Sequence, residues 1–219
     1  MVVALKPIDP GEFVAMLQPL LEKEDLAGLI KTLRSNWTCD QVRALLRGPH
    51  VDARKVALLS LAWVGGAECI PQLAEQLKDA DPVVNGVAEH ALWSVWFRCG
   101  TPEANHELAR GTQDVNRRAY EEASEHFTKA ASIDPNFSEA YNQRAIVHYL
   151  CERYRESISD CQRCVKLMPS HFGAWAGMGH CLAHLGEIRA AVDCYEKALE
   201  INPHMDCVKQ MVKELKMTR

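Results

Sequence analysis

The sequence predicts an all-α fold, a superhelical solenoid of stacked helical hairpins closed by a capping helix. Three observations predict it. Pro135, Pro169 and Pro203 recur at intervals of 34 residues, each closing a similar phrase: Ala-Ser-Ile-Asp-Pro, Lys-Leu-Met-Pro and Glu-Ile-Asn-Pro. A looser period of 31 relates two stretches of the first hundred residues. Apolar residues throughout fall at helical spacing, with Gly65-Gly66 and Gly48-Pro49 as punctuation between helices.

In the C-terminal half, taking the proline as position 32 of a 34-residue unit defines repeats at 104–137, 138–171 and 172–205. The third carries Trp175, Met178, Gly179, Leu182, Ala191, Tyr195, Ala198 and Pro203. The second carries Tyr141, Ala145, Ser157, Cys164 and Pro169, with His148 and Cys161 at its two other ring positions. The first matches late, at Gly111, Ala123, Phe127, Ala130 and Pro135, but has Glu107, Arg110 and Asp114 where ring and apolar residues belong, as suits a junction with something upstream. This pattern resembles a tetratricopeptide repeat array. Small residues let two antiparallel helices approach closely, rings fill the space to the next pair, and the proline ends the second helix because it cannot continue the hydrogen-bond ladder. Residues 204–217 are expected to close the array, with Val208, Val212 and Leu215 inward and Lys209, Lys213, Glu214 and Lys216 outward.

The 31-residue period places Ala57 on Ala88, Leu61 on Leu92 and Arg54 on Asn85, and in the preceding helices Val42 on Leu73 and Leu46 on Leu77. It resembles short HEAT-type repeats, degenerate helical hairpins also found in bilin-lyase proteins. The resemblance implies an Asp–Arg ladder between repeats, and since each copy keeps one partner, Arg54 is expected to reach Asp81. Residues 12–34 read as a further hairpin. The expected division is residues 1–100, HEAT-like, and 101–219, tetratricopeptide repeats, joined by the short Cys99-Gly100-Thr101-Pro102. Trp93, Trp96 and Phe97 just before the joint are expected to pack the two arrays into one continuous superhelix. The whole chain resembles bacterial proteins in which HEAT-like repeats precede tetratricopeptide repeats.

Charge narrows the function classes. Lys+Arg 25 against Asp+Glu 29 gives a net −4, with 10 basic and 12 acidic residues up to Gly100 and 15 and 17 beyond it. Neither half has a basic surplus, so neither nucleic acid nor an anionic membrane surface is an expected partner. The longest near-apolar run, Val56 to Gly66, falls well short of the ~18 residues of a membrane-spanning helix. The start, Met-Val-Val-Ala-Leu before Lys6, lacks the basic and apolar regions of an export signal. The nine cysteines therefore read as reduced thiols, and a cytoplasmic location is expected.

No enzyme signature emerges. Cys161-x-x-Cys164 has no second CxxC and no following His, and both cysteines sit at packing positions, so they read as core rather than metal ligands. Gly173-x-x-x-Gly177-x-Gly179 follows no strand, and there is no nucleophile elbow or phosphate loop. Glu89 and His90 are helix neighbours that do not face each other, and Glu121, Glu122 and Glu125 read as a solvated face. His180 and His184 share a helix face in a metal-ready geometry. The favoured reading makes them groove-lining side chains, with a helix-face coincidence and a metal sensor as the alternatives.

The resemblance implies that positions 2, 5, 9, 12 and 13 of each first helix face a concave groove. The expected partner-binding residues are Glu139, Asn142, Ile146, Tyr149, Ala176, His180 and His184, around a mixed floor in which an Asn amide clamps backbone and Tyr and His read side chains. Chaperone-docking members hold a C-terminal carboxylate with Lys, Asn and Arg at positions that here carry Leu108, Thr112, Gly173 and Gly177, so that clamp is missing. The two histidines would make binding pH-sensitive, acid adding charge to the groove and weakening basic ligands. The expected function is a non-enzymatic scaffold that binds a peptide or protein partner, without cofactor or metal. The alternative is a lyase-like or small-molecule activity in the HEAT-like half.

Overall fold

The computed structural model describes residues 6–217, and the Met1–Leu5 stretch weighed above as an export signal lies outside them. Among the described residues there are thirteen α-helices and no strand. The chain divides between Val95 and Trp96 into two compact units.

The first unit holds α1 (Pro10–Glu22), α2 (Leu26–Asn36), α3 (Cys39–Leu45), α4 (Val51–Val64), a 3₁₀ turn (Ala67–Cys69), α5 (Ile70–Gln76) and most of α6 (Pro82–Trp96). Short polar side chains start α1, α2 and α3 by accepting orphan backbone N–H groups. Asp9 accepts from Glu12 N–H at 2.8 Å, Asp25 from Gly28 N–H at 2.9 Å, and Thr38 and Gln41 form a reciprocal capping box. The α1–α2 hairpin buries Phe13, Leu17, Leu29 and Leu33. All four pairs of apolar positions related by the 31-residue period are buried in both copies: Val42 and Leu73, Leu46 and Leu77, Ala57 and Ala88, Leu61 and Leu92.

The ladder expected there takes a different partner. Arg54 Nε lies 2.9 Å from Asp79 Oδ2 and its Nη2 3.2 Å from Asp79 Oδ1, a two-pronged pair, instead of reaching Asp81. Asp81 stands immediately before Pro82, where it caps α6 by accepting from Val83 and Val84 N–H at 2.8 and 3.1 Å, and it pairs with Lys55 at 3.3 Å.

The second unit is three helical hairpins and a closing helix: α7 (Pro102–Asn116) with α8 (Tyr120–Ile133), α9 (Ser138–Leu150) with α10 (Tyr154–Leu167), α11 (Phe172–His184) with α12 (Ile188–Ile201), then α13 (Asp206–Met217). Each hairpin turns through one left-handed residue, Arg118 at φ 62°, Glu152 at 58° and Gly186 at 77°, again 34 residues apart. Each second helix ends in an extended residue, Asp134, Met168 or Asn202, followed by the repeat proline, as the steric demand of X-Pro requires. Within a hairpin the two helices pack on each other, and each hairpin packs on the next. Val208, Val212 and Leu215 of α13 join the last core cluster, while Lys209, Lys213, Glu214 and Lys216 are exposed.

Hairpin packing follows the small-residue rule. A β-carbon on Gly111 would stand 2.6 Å from the Phe127 ring, and one on Gly179 2.6 Å from the Tyr195 ring. In the first hairpin the polar residues at ring and apolar positions are satisfied within the hairpin itself. Glu107 Oε2 lies 2.6 Å from His126 Nδ1, Lys129 Nζ lies 3.5 Å from Glu107 Oε1, and Asp114 Oδ2 lies 3.6 Å from His126 Nε2.

Candidate functional site

The first helices of the three hairpins, α7, α9 and α11, adjoin one another and carry the residues expected to face the groove. Between α9 and α11 lies a cleft of about 210 Å³. Its lining includes four of the seven expected residues, Ile146, Tyr149, Ala176 and His180, with Ala145, Ser157, Cys161, Gly173 and Gly177 completing it. Ile146 is exposed at this cleft and Tyr149 half-buried.

Glu139 and Asn142 depart from the expectation that they contact a ligand. Glu139 has no exposure and Asn142 only 3%. Glu139 accepts from Gln143 Nε2 at 2.6 Å and Asn142 Nδ2 at 3.1 Å, and its other oxygen faces His171 Nε2 at 2.8 Å. His171 is covered in turn by the Trp96 indole, stacked 4.0 Å away at 17°. The two residues hold α9 in register with the start of α11 and present no surface for recognition. On α7, Leu108 is buried and Thr112 donates to its carbonyl at 2.9 Å, so that wall is largely closed on itself.

The two histidines are each engaged by a tyrosine. Tyr195 Oη lies 2.8 Å from His180 Nδ1, and Tyr149 Oη 3.0 Å from His184 Nε2. Tyr154 stacks on His184 at 4.7 Å and 9°. Tyr154 and Tyr195 belong to second helices, outside the register that names groove positions, and this is why sequence reasoning left them out. Burial, followed by the neighbouring His184, holds His180 below the usual imidazole range. Burial pushes the Tyr195 hydroxyl up to about 12, so it stays a neutral partner for His180. His184 is exposed and His180 half-buried.

Among the described residues no group of three His, Cys, Asp or Glu side chains is arranged to hold a metal ion. Cys161 and Cys164 are buried, as packing positions require, and burial pushes both thiols strongly upward, away from the thiolate form that metals and electrophiles need. All nine cysteines are free. The first unit carries its own cleft of about 390 Å³, lined mainly by Pro7, Ile8, Pro10, Ala44 and Leu45. Lys6 and Asp40 also line it, and Asp40 is paired with Arg43. No helix is long and apolar enough to cross a membrane among the described residues.

The tetratricopeptide repeat family model matches residues 173–205, the third hairpin. A TPR repeat-containing protein from Rhizobium etli is 26% identical over 135 residues, 61% of this chain and 66% of that protein. Sperm-associated antigen 1 from Mus musculus is 29% identical over 112 residues, 51% of this chain and 12% of that protein. Hsp70-Hsp90 organizing protein from Triticum aestivum is 26% identical over 106 residues, 48% of this chain and 18% of that protein. The chain thus spans less than two thirds of the length of each of these relatives. Among solved structures, the first TPR of Spaghetti bound to an HSP90 peptide superposes with a TM-score of 0.52 at 22% identity, covering 53% of this chain and 92% of that one. The Sgt2 TPR domain from Aspergillus fumigatus does so with 0.52 at 22%, covering 54% and 80%. These likenesses are likenesses of fold, and together with the hairpin geometry and the match to the third hairpin they show that the second unit is built of tetratricopeptide repeats.

Proposed function

We propose that the protein is a non-enzymatic interaction scaffold that holds an extended peptide, free or within a protein partner, along the groove of α7, α9 and α11. Its contact surface is Ile146, Tyr149, Ala176, His180 and His184, with Glu139 and Asn142 as buried supports behind it. The observation that carries this reading is the cleft between α9 and α11, which gathers Ile146, Tyr149, Ala176 and His180 from two hairpins onto one recess. Relatives named for Hsp70 and Hsp90, and a structural neighbour bound to an HSP90 peptide, support a peptide as the ligand class. Leu108, Thr112, Gly173 and Gly177 supply no cation for a terminal carboxylate, so docking here does not use that clamp. Nine free thiols and the absence of a strongly charged half support a protein partner met in a reducing cytoplasm. Residues 1–100 are read as a HEAT-like half that offers a second surface.

The test is selection of peptides on the full chain from a random-sequence display library, followed by fluorescence anisotropy with synthetic copies. Tyr149→Ala and His184→Ala are expected to weaken binding at least tenfold while circular dichroism keeps the wild-type helicity. Selected peptides that bind both variants as tightly as wild type would move the site out of the groove.

A further inference from the structure

The cleft between α9 and α11 has a specific origin. In the first and third hairpins one small–large pair closes the space between the two helices, Gly111 against Phe127 and Gly179 against Tyr195. The second hairpin has Ala145 and Cys161 at the corresponding positions. A methyl and a thiol occupy less room than a ring, and the unfilled space beside them is part of the 210 Å³ cleft. The facing wall on α11 adds no side chain at Gly173 and Gly177. Packing does not require glycine at 177: a β-carbon there would meet only Cys161 Sγ, at an ordinary 3.6 Å. The contrast with Gly111 and Gly179 separates glycines that the fold needs from one that leaves a recess open. Protein interiors rarely keep such space empty, because its lining forfeits dispersion contacts.

The lining also defines what can enter. No lining residue is a Lys, Arg, Asp or Glu. The Ser157 hydroxyl already donates to the Ala145 carbonyl at 2.8 Å and accepts from Cys181 Sγ at 3.1 Å, and His180 Nδ1 is engaged by Tyr195. A charged head buried here would lose water without gaining a counter-ion, whereas an apolar side chain gains contact on every wall. The volume lies below the roughly 300 Å³ at which small-molecule sites begin, so it suits one side chain and not a whole cofactor.

We propose that this cleft is a specificity pocket for one uncharged apolar side chain, of leucine, methionine or phenylalanine size, projecting from a peptide that lies in the groove. The ligand supplies in the second hairpin the apolar bulk that Phe127 and Tyr195 supply in the other two. This proposal rests on the groove reading above and adds to it the chemistry of the residue recognised.

The test uses peptides selected on the wild-type full chain from a random-sequence library and sequenced, with synthetic copies measured by anisotropy. One peptide position is expected to be restricted to Leu, Ile, Met or Phe, and its change to Glu or Ala to lower affinity at least tenfold. Gly177→Val, which fills the recess, is expected to cause a similar loss while the melting temperature stays at or above that of wild type, and Gly177→Ala a smaller loss. If Gly177→Val impairs folding, Gly177→Ala with the single-position peptide series carries the test. Binding without any apolar-restricted position, or undiminished by filling position 177, overturns the pocket while loss on Tyr149→Ala still upholds the groove. No selected peptide, or binding indifferent to Tyr149→Ala as well, overturns both.

Discussion

Glu139 and His171 are joined by a hydrogen bond 2.8 Å long in which neither side chain has any solvent exposure. His171 Nδ1 accepts the Ala174 N–H at 3.1 Å and so caps α11, which leaves the imidazole proton on Nε2, where it is donated to Glu139. One carboxylate thereby ties the first turn of α9 to the first turn of α11, with Gln143 and Asn142 completing its shell.

Removing Glu139 leaves the buried His171 Nε2–H and the Asn142 and Gln143 amides without their acceptor, at a cost of about 1–3 kcal/mol for each donor left unpaired. Glu139→Ala is therefore expected to lower the unfolding free energy by that order in denaturant titrations. Glu139→Gln, whose amide oxygen still accepts, should lose less. If Glu139→Ala unfolds at the wild-type midpoint, the buried pair is not a support of the hairpin stack.

His180 gives the groove a pH response of defined sign. The groups packed around it are Tyr195 from α12, Tyr149 from α9 and His184 on its own helix. Its folded-state value lies below the ordinary 6.5, because burial disfavours the imidazolium. The unfolded chain therefore takes up this proton first as pH falls, and stability declines from about pH 6.5 down to the lowered folded value. A ligand that covers His180 deepens the burial, so affinity for a selected peptide should stay level from pH 8 to 6.5 and fall on acidification through the lowered folded value. His180→Gln should flatten that fall. Wild-type affinity unchanged down to pH 5 would contradict this.

The helices were legible because their signals are local. The proline period, the capping residues and the small–large pairs each act within a few turns, so Pro135, Pro169, Pro203, Gly179 and Tyr195 announce their places. The register brought Ile146, Tyr149, Ala176 and His180 to one cleft, but it did not foretell which neighbours are buried. Position 5 of the second repeat is Asn142, but its burial depends on Glu139, and that of Glu139 on His171, itself covered by Trp96. The last two contacts join partners 32 and 75 residues apart, beyond any local periodicity. The Arg54 ladder failed for a reason the sequence did carry: Asp81 before Pro82 is a helix-start signature, and a capping aspartate has its oxygens turned to backbone N–H groups. The left-handed turns at Arg118 and Glu152 had no such signature, since glycine marks only the third, Gly186.

The thiols should separate by burial. Cys161, Cys164 and Cys181 are buried and burial pushes each of them up, Cys194 rises to about 11 and Cys69 to about 12, whereas Cys207 is exposed. Since the thiolate is the reacting form, iodoacetamide at pH 7.5 should label Cys207 first, and Cys161 and Cys164 only on unfolding. Mass spectrometry of tryptic peptides over a time course checks the order. Early labelling of Cys161 would mean that the second hairpin opens in solution.

Two glycines two residues apart should respond oppositely to alanine. Both lie inside α11, where alanine is the better helix former by about 1 kcal/mol. At Gly177 the added β-carbon meets Cys161 Sγ at 3.6 Å, so the propensity gain should appear almost undiminished as a raised melting temperature. At Gly179 it would meet the Tyr195 ring at 2.6 Å, and overpacking of about 1–3 kcal/mol outweighs the gain. The ring cannot retreat freely, because its hydroxyl is held by His180 at 2.8 Å. Gly177→Ala is thus expected to stabilise and Gly179→Ala to destabilise, read side by side in thermal melts followed by circular dichroism. Equal shifts for the two would mean that the hairpin does not close on Tyr195 as described.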